Sequence, residues 1–316
     1  MLSNTTRSSK PRSAASCSGD VRIAVLLIAL ISALGAPGTA APVKAAPAKA
    51  APAKPRWASL PLPPAMPKPA ASGHVDVADG ARIFYAEYGQ RSGPVVILLH
   101  GGLGNGDHFA LQVPALVDRF RVIAIDSRGQ GRSTLGKGKL GYPEMARDVV
   151  AVMDALALGK ASIAGWSDGG AIALALGIDH AARVDRLFVF GTNYDRHGTK
   201  PRTGPSPTFA AYAAKCRADH DRLAGSPKAY AAAASALAPV WRDPRSFTQD
   251  QLRSIRARTL VAVGDRDEIV ALPQVKEMAA LIPDGRLAVL EDTSHFALWQ
   301  DPAGFNQVLV EFLTSR

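Results

Sequence analysis

The chain has 316 residues, 47% of them hydrophobic, enough for one large domain with a full core. Its net charge of +10 invites a nucleic-acid reading, but nine of the 37 Lys/Arg and one of the 27 Asp/Glu precede Gly73. The rest of the chain is therefore nearly neutral, with no basic, aromatic-interleaved patch, and a nucleic-acid partner is excluded.

Residues 1–40 have the layout of a secretory signal peptide: a polar, basic Met1–Arg22, an apolar run Ile23–Leu34 broken only by Ser32, and the small-residue stretch Gly35–Ala40. The run is shorter than the roughly 20 apolar residues needed to span a bilayer. Cleavage after Ala40 is expected, giving an exported protein, periplasmic or secreted, with no stable membrane span. Cleavage would also remove Cys17, leaving Cys216 alone without an intrachain disulfide partner. Residues 41–72 are Ala/Pro/Lys-rich, with Ala-Ala-Pro-x-Lys in tandem. Proline at that density blocks helices and ladders, so an extended, partly polyproline II linker is expected.

A single domain is expected over 73–316. Val75–Val77 and Arg82–Tyr88 flank Asp79-Gly80, a hairpin signal. Pro94–His100 reads as a buried strand, Asp107–Asp118 as a helix, Phe120–Asp126 as a strand and Tyr142–Leu158 as an amphipathic helix. Ala161–Gly165 is the next strand, followed by the helical run Ala171–Ile178. Further strands are expected at Asp185–Gly191, Arg258–Val263 and Leu287–Leu290, and helices at Leu272–Ile282 and Pro302–Leu313. Strands alternating with helices imply an α/β fold: a mostly parallel sheet covered on both faces, with one antiparallel edge. About 193–251 breaks the alternation with two Ala-rich helices, Thr208–Arg222 and 227–238, the pattern of a helical cap or lid inserted in the domain. Its aromatics Tyr194, Phe209, Tyr212, Tyr230 and Trp241 either pack the cap or line a pocket beneath it.

The chemistry-bearing residues fall after strands, where open α/β sheets gather ligand-binding groups. Gly165-Trp166-Ser167-Asp168-Gly169 reads G-x-S-x-G between a strand and a helix, a turn that exposes a serine hydroxyl at the sheet's end. His100-Gly101-Gly102-Leu103 and Asp126-Ser127-Arg128-Gly129 follow earlier strands. Gly264-Asp265-Arg266-Asp267 and Ser294-His295-Phe296 follow the last two. Chain order is thus Ser, Asp, His. The seven histidines and two cysteines show no H-E-x-x-H, C-x-x-C or other metal-ligand spacing.

This joint pattern resembles the α/β-hydrolase fold superfamily across Val75–Leu313, and Gly-Trp-Ser-Asp-Gly-Gly at 165–170 is similar to the elbow of valacyclovir-hydrolase-like and enol-lactonase-like branches. The resemblance implies a cofactor-free hydrolase acting on a small molecule. Ser167 would be the nucleophile, His295 the base that takes its proton, and Asp267 the group that holds the imidazole. Asp265 competes for that last role, and Asp267 fits the family spacing from Gly264. The backbone N–H of Asp168 and that of Gly102, with Leu103 as the alternative, would receive the developing oxyanion. His100 and Asp126–Gly129 read as bracing for the loops. Trp166 and Asp168 are candidate substrate contacts; the resemblance suggests an amine for the Asp168 carboxylate, against an ordinary role as a first-turn helix acid. The expected reaction is cleavage of a small ester, lactone or related acyl compound through an acyl-enzyme on Ser167. C–C bond hydrolysis, aminopeptidase-like amide cleavage and perhydrolysis are the alternatives on this fold, and a non-catalytic ligand-binding protein is the alternative of another class. Oligomeric state has no sequence signature here.

Overall fold

The computed structural model describes residues 54–201, 204, 206–226, 228–243 and 247–315. The expected signal peptide and the tandem Ala-Ala-Pro repeats lie outside the described residues. The first two strands, β1 (Ala71–Asp76) and β2 (Arg82–Gly89), form the antiparallel hairpin, turning at Asp79 and Gly80. Gly80 has φ 84°, a conformation that side-chain-bearing residues avoid. Then follow β3 (Val95–Leu99), the four-residue α1 (Val113–Leu116), β4 (Arg121–Ile125), α2 (Tyr142–Ala155), β5 (Ala161–Trp166), α3 (Asp168–Asp179) and β6 (Val184–Phe190). The insertion carries α4 (Pro207–Leu223), α5 (Ala229–Arg242) and α6 (Gln249–Ser254). The chain closes with β7 (Arg258–Gly264), α7 (Leu272–Leu281), β8 (Gly285–Leu290), α8 (Ala297–Gln300) and α9 (Pro302–Thr314).

The eight strands make one sheet in the order β1-β2-β4-β3-β5-β6-β7-β8. β2 pairs antiparallel with β1 and β4, and every later neighbour pair is parallel. β3 shows why the central strands read as unbroken apolar runs. Ile97 and Leu99 join a core cluster with α2, α3 and α7, while Val96 and Leu98 join a second cluster on the opposite face with α9. A strand covered on both faces has no polar side to show. Strand order reverses at β3, which lies between β4 and β5, so the loops after β3 and β5 meet at one end of the sheet.

Three features depart from the sequence expectations. A continuous helix over Asp107–Asp118 does not form. Instead a 3-10 turn over Gly106–Phe109, capped by Asn105 accepting from Asp107 N, gives way to the short α1. Two short helices, α6 and α8, escaped the periodicity reading because each is too short to show a stripe. Thr248 and Gln251 form a capping box on α6, which is a sequence-readable start signal. The third departure precedes β1. Arg56 Nη1 lies 2.9 Å from Asp301 Oδ2, and Gln300 Nε2 donates to Trp57 O at 3.2 Å and Ser59 O at 2.7 Å. Leu60 and Met66 pack against the second core cluster. The Pro-rich stretch from residue 54 is thus a strap laid on the domain.

Candidate active site

β5 ends at Trp166 and α3 begins at Asp168, so Ser167 alone turns the chain, with φ 56° and ψ −119°. A non-glycine residue held there stores about 1–3 kcal/mol of backbone strain, which persists only where the surroundings fix it. Here Ser167 N donates to Phe190 O at 2.8 Å, and Ser167 O accepts from Gly170 N and Thr192 Oγ1, each at 2.9 Å. Two glycines let the helix approach. A Cβ on Gly165 would fall 2.2 Å from Gly169 O, and one on Gly169 would fall 2.0 Å from Leu99 O. The side chain of Ser167 borders a cavity of about 360 Å³ that is also lined by Gly102, Asp168, Tyr212, Trp241 and His295.

His295 lies in the loop after β8 and is buried, and Asp267 lies in the loop after β7. His295 Nδ1 is 2.9 Å from Asp267 Oδ2. An ionised carboxylate only accepts, so Nδ1 carries the proton and Nε2 is the basic nitrogen of the neutral ring. The other oxygen of Asp267 accepts the backbone N–H of Ile269 and Val270, each at 2.8 Å. Asp265 turns elsewhere, accepting from Thr293 N at 3.2 Å. Among the described residues no hydrogen bond joins Ser167 Oγ to His295; both residues line the cavity. Glu268 Oε2 accepts His295 N at 3.1 Å, and its other oxygen accepts Thr208 Oγ1 from the cap at 2.7 Å. Burial works against an imidazolium at His295, but the charge and hydrogen bond of Asp267 outweigh it, helped by Glu268 and Asp168, and the pKa is raised.

The loop after β3 supplies the opposite wall. Leu103, at φ 62°, gives its N–H to Gln130 Oε1 at 2.6 Å and so turns that donor out of the cavity. Gly102 O accepts Tyr212 Oη from α4 at 2.9 Å. His100 is a brace. Its Nδ1 donates to Gly101 O at 2.8 Å, its Nε2 accepts Ser127 N at 2.9 Å, and burial depresses its pKa to about 3, keeping it neutral. Asp126 accepts Gly106 N, Arg132 N and the Arg132 guanidinium, while buried Arg128 clamps Asp148 and Asp79. Both tie loops together and neither borders the Ser167 cavity.

Asp168 has two distinct aspects. Its backbone N–H begins α3 directly after Ser167. Its carboxylate is buried in the cavity wall, accepting Tyr142 Oη at 3.0 Å and Trp241 Nε1 at 2.8 Å. Burial raises its pKa, and the two hydrogen bonds only partly offset that. No Lys or Arg forms an ion pair with it among the described residues. Trp166 is buried, and its indole N–H donates to His295 O at 2.9 Å, so it fixes the histidine loop as well as bordering the cavity. Tyr142, Gln130 and Glu268 have no role assigned from sequence. Trp241, one of the aromatics expected either to pack the cap or to line a pocket beneath it, lines the cavity.

A nearly parallel eight-stranded sheet, a strained serine turn after the fifth strand, and an Asp–His pair after the seventh and eighth define the α/β-hydrolase class of scaffold. Residues 94–214 match the family model described as the alpha/beta hydrolase fold. RutD of Caulobacter segnis, named for carbamate hydrolysis, is 32% identical over 252 residues, covering 70% of this chain and 92% of that protein. The 2-hydroxy-6-oxo-6-phenylhexa-2,4-dienoate hydrolase of Comamonas testosteroni is 28% identical over 268 residues, 74% of this chain and 92% of that one. Among solved structures, Est816, described as an N-acyl homoserine lactone degrading enzyme, superposes with a TM-score of 0.60 at 31% identity, covering 76% of this chain and all of that one. The chain belongs to the α/β-hydrolase family and is a hydrolase.

The ring of His295 is expected to titrate above its ordinary value of 6.5. Glu268→Gln removes a nearby negative charge that favours the imidazolium, so it should lower that pKa; an NMR titration of the ring in both proteins checks this. An unchanged midpoint would show that Glu268 does not contribute to the field at the ring.

Proposed function

We propose that this protein is an exported serine hydrolase that cleaves a small ester, lactone or related acyl compound through an acyl-enzyme on Ser167. The observation that carries this reading is the placement of Ser167, at φ 56°, on the same cavity as His295, whose Nδ1 is held by Asp267. A serine hydroxyl is a weak nucleophile until a neighbouring base takes its proton. In this reading His295 Nε2 takes that proton as the oxygen attacks the carbonyl carbon, then returns it to the leaving group. Asp267 holds the ring and stabilises its charged form. The carbonyl oxygen becomes an oxyanion and is received by the N–H groups of Asp168 and Gly102. Gly102 is preferred to Leu103 because the Leu103 N–H is engaged by Gln130. Such preset donors typically contribute about 3–4 kcal/mol each to barrier lowering. Water, activated by the same histidine, then releases the acyl group.

The names of the relatives support an acyl-transfer reading: a carbamate and a lactone both present a carbonyl to a nucleophile. The Comamonas relative's name supports C–C bond hydrolysis as the second reading. In that case the same serine would attack a ketone carbonyl and a carbon would leave.

Asp168 suggests a substrate preference. Its buried carboxylate faces the cavity without an ion-pair partner among the described residues, and a substrate ammonium would supply one. On this reading aminoacyl esters are turned over in preference to neutral esters of similar size.

Ser167→Ala should lower hydrolysis of a responsive ester by at least about 10⁴-fold and abolish labelling by a fluorophosphonate probe. Folded wild-type protein that resists the probe and hydrolyses no ester, lactone or carbamate would point instead to a ligand-binding role. Asp168→Asn should reduce the preference for aminoacyl over neutral esters by about tenfold, a single charged contact's worth; an unchanged ratio in a kcat/KM comparison would remove the amine reading. Export rests on residues 1–40, and N-terminal sequencing of protein recovered outside the cytoplasm should begin at Ala41. Recovery of uncleaved chain from the cytoplasm alone would contradict it.

A further inference from the structure

The strap that precedes β1 brings Trp57 to the mouth of the cap. Its backbone is fixed: Arg56 pairs with Asp301, and Gln300 donates to the carbonyls of Trp57 and Ser59. The indole itself is not a core group. Trp57 is 39% exposed and lines a chamber of about 860 Å³ together with Trp241 of α5, which is 42% exposed. Phe209, Pro207 and Ile269 add apolar walls. Trp241, Phe209, Ile269 and Thr199 also line the Ser167 cavity, so the two spaces adjoin across these side chains.

Among the described residues, the charged side chains that line the chamber have other engagements. Glu268 accepts from Thr208 and from His295 N, Lys200 Nζ donates to Asp267 O, and Arg266 pairs with Asp265 at 3.4 Å. The surfaces left for a ligand are largely aromatic and aliphatic. The inner cavity, at about 360 Å³, is near the lower end of the roughly 300–1,000 Å³ typical of small-molecule sites.

We propose that the chamber is an outer subsite for an alkyl or aryl tail of the substrate, and that Trp57 is a specificity-determining residue for that tail. The inference rests on the hydrolase reading above for its substrate, but not for the chamber's affinity for apolar chains. The reacting carbonyl sits at Ser167, and a tail too long for the inner cavity passes Trp241 and Phe209 to lie against the Trp57 indole. Substrate recognition would then draw on the strap, a part of the chain outside the sheet and the cap.

The test compares wild type, Trp57→Ala and Trp57→Phe in the full chain. Kinetics use two series, p-nitrophenyl acetate against decanoate and methyl acetate against decyl acetate; calorimetry uses 1-octanol against 1-butanol. The hydrogen bond that Trp57 gives the strap is made by its carbonyl, which both variants keep, and a thermal melt of each checks that the fold is retained. Trp57→Ala should lower kcat/KM for the long member of at least one series by about tenfold, mainly through KM, roughly the loss of two buried methylenes. The short members should be unaffected, Trp57→Phe should retain most of the wild-type value, and octanol binding should weaken while butanol binding does not. Equal effects on long and short esters, or no effect in either series together with unchanged octanol binding, would overturn the subsite. Weakened octanol binding in a protein that hydrolyses none of the esters would leave the chamber standing and reject the ester-hydrolase reading.

Discussion

The close approach of α3 to the ends of β3 and β5 is the constraint on which the rest of the site depends. Leu99 O and Gly169 occupy the space that side chains at 169 and 165 would need, so both positions are glycine. With the helix this near, the chain has one residue in which to turn from extended to helical backbone. Ser167 makes the turn in the left-handed region. That geometry places Ser167 at the cavity and sets Asp168 into its wall. The strain at Ser167 is sustained by hydrogen bonds to β6 and the loop beyond it, through Phe190 and Thr192. The strand that flanks the elbow therefore holds it in shape.

Three buried aspartates, after β4, β5 and β7, show how surroundings divide similar residues by role. Asp126 accepts two backbone N–H groups and a guanidinium, which makes it a joint between loops. Asp267 accepts two backbone N–H groups on one oxygen and the imidazole on the other, so its direction is fixed toward a single titrating ring. Asp168 accepts only the neutral donors of Tyr142 and Trp241, and burial raises its pKa. A carboxylate in a low-dielectric wall with only neutral partners is costly to keep charged. Of the three, it is the one whose environment a bound cation would improve.

The scaffold was legible because its signals are local and repeated. The apolar run of β3, the helical spacing of α2 and the Gly-x-Ser-x-Gly turn each reflect the element they form, and their order led to a mostly parallel sheet. The Ser167, Asp267 and His295 loops could be placed for the same reason, since each follows a strand at the same end of the sheet. What escaped was fixed by tertiary partners. The stretch Asp107–Asp118 has helix-compatible residues, but Asn105 caps a 3-10 turn before a helix can propagate. Leu103 and Gly102 look equivalent as donors until Gln130, far along the chain, takes one of them. The strap read as a spacer because its proline content rules out regular structure, and rules out nothing about docking. Its anchors, Arg56 and the carbonyls of Trp57 and Ser59, meet Gln300 and Asp301 more than 240 residues later.

The cap is bound to the chemistry at three points, each of a different kind. Tyr212 donates to Gly102 O and so fixes the loop whose N–H would receive the oxyanion. Trp241 donates to the Asp168 carboxylate beside Ser167. Thr208 donates to Glu268, which in turn accepts His295 N. The loop after β3, the turn at Ser167 and, through Glu268, the His295 loop are thus each held by α4 or α5, and a shift of these helices would alter all three together. In an insertion rich in alanine, Tyr212, Trp241 and Thr208 are engaged with the loops around Ser167 and His295, while Asn193, Arg196 and Asp243 also line the cavity. Variation in the cap would therefore change the alignment of the reacting groups along with the shape of the pocket. The strap at Trp57 lies outside α4 and α5, and its own link to the site runs through Gln300, which holds the Trp57 carbonyl and accepts the N–H of Ser294 beside His295.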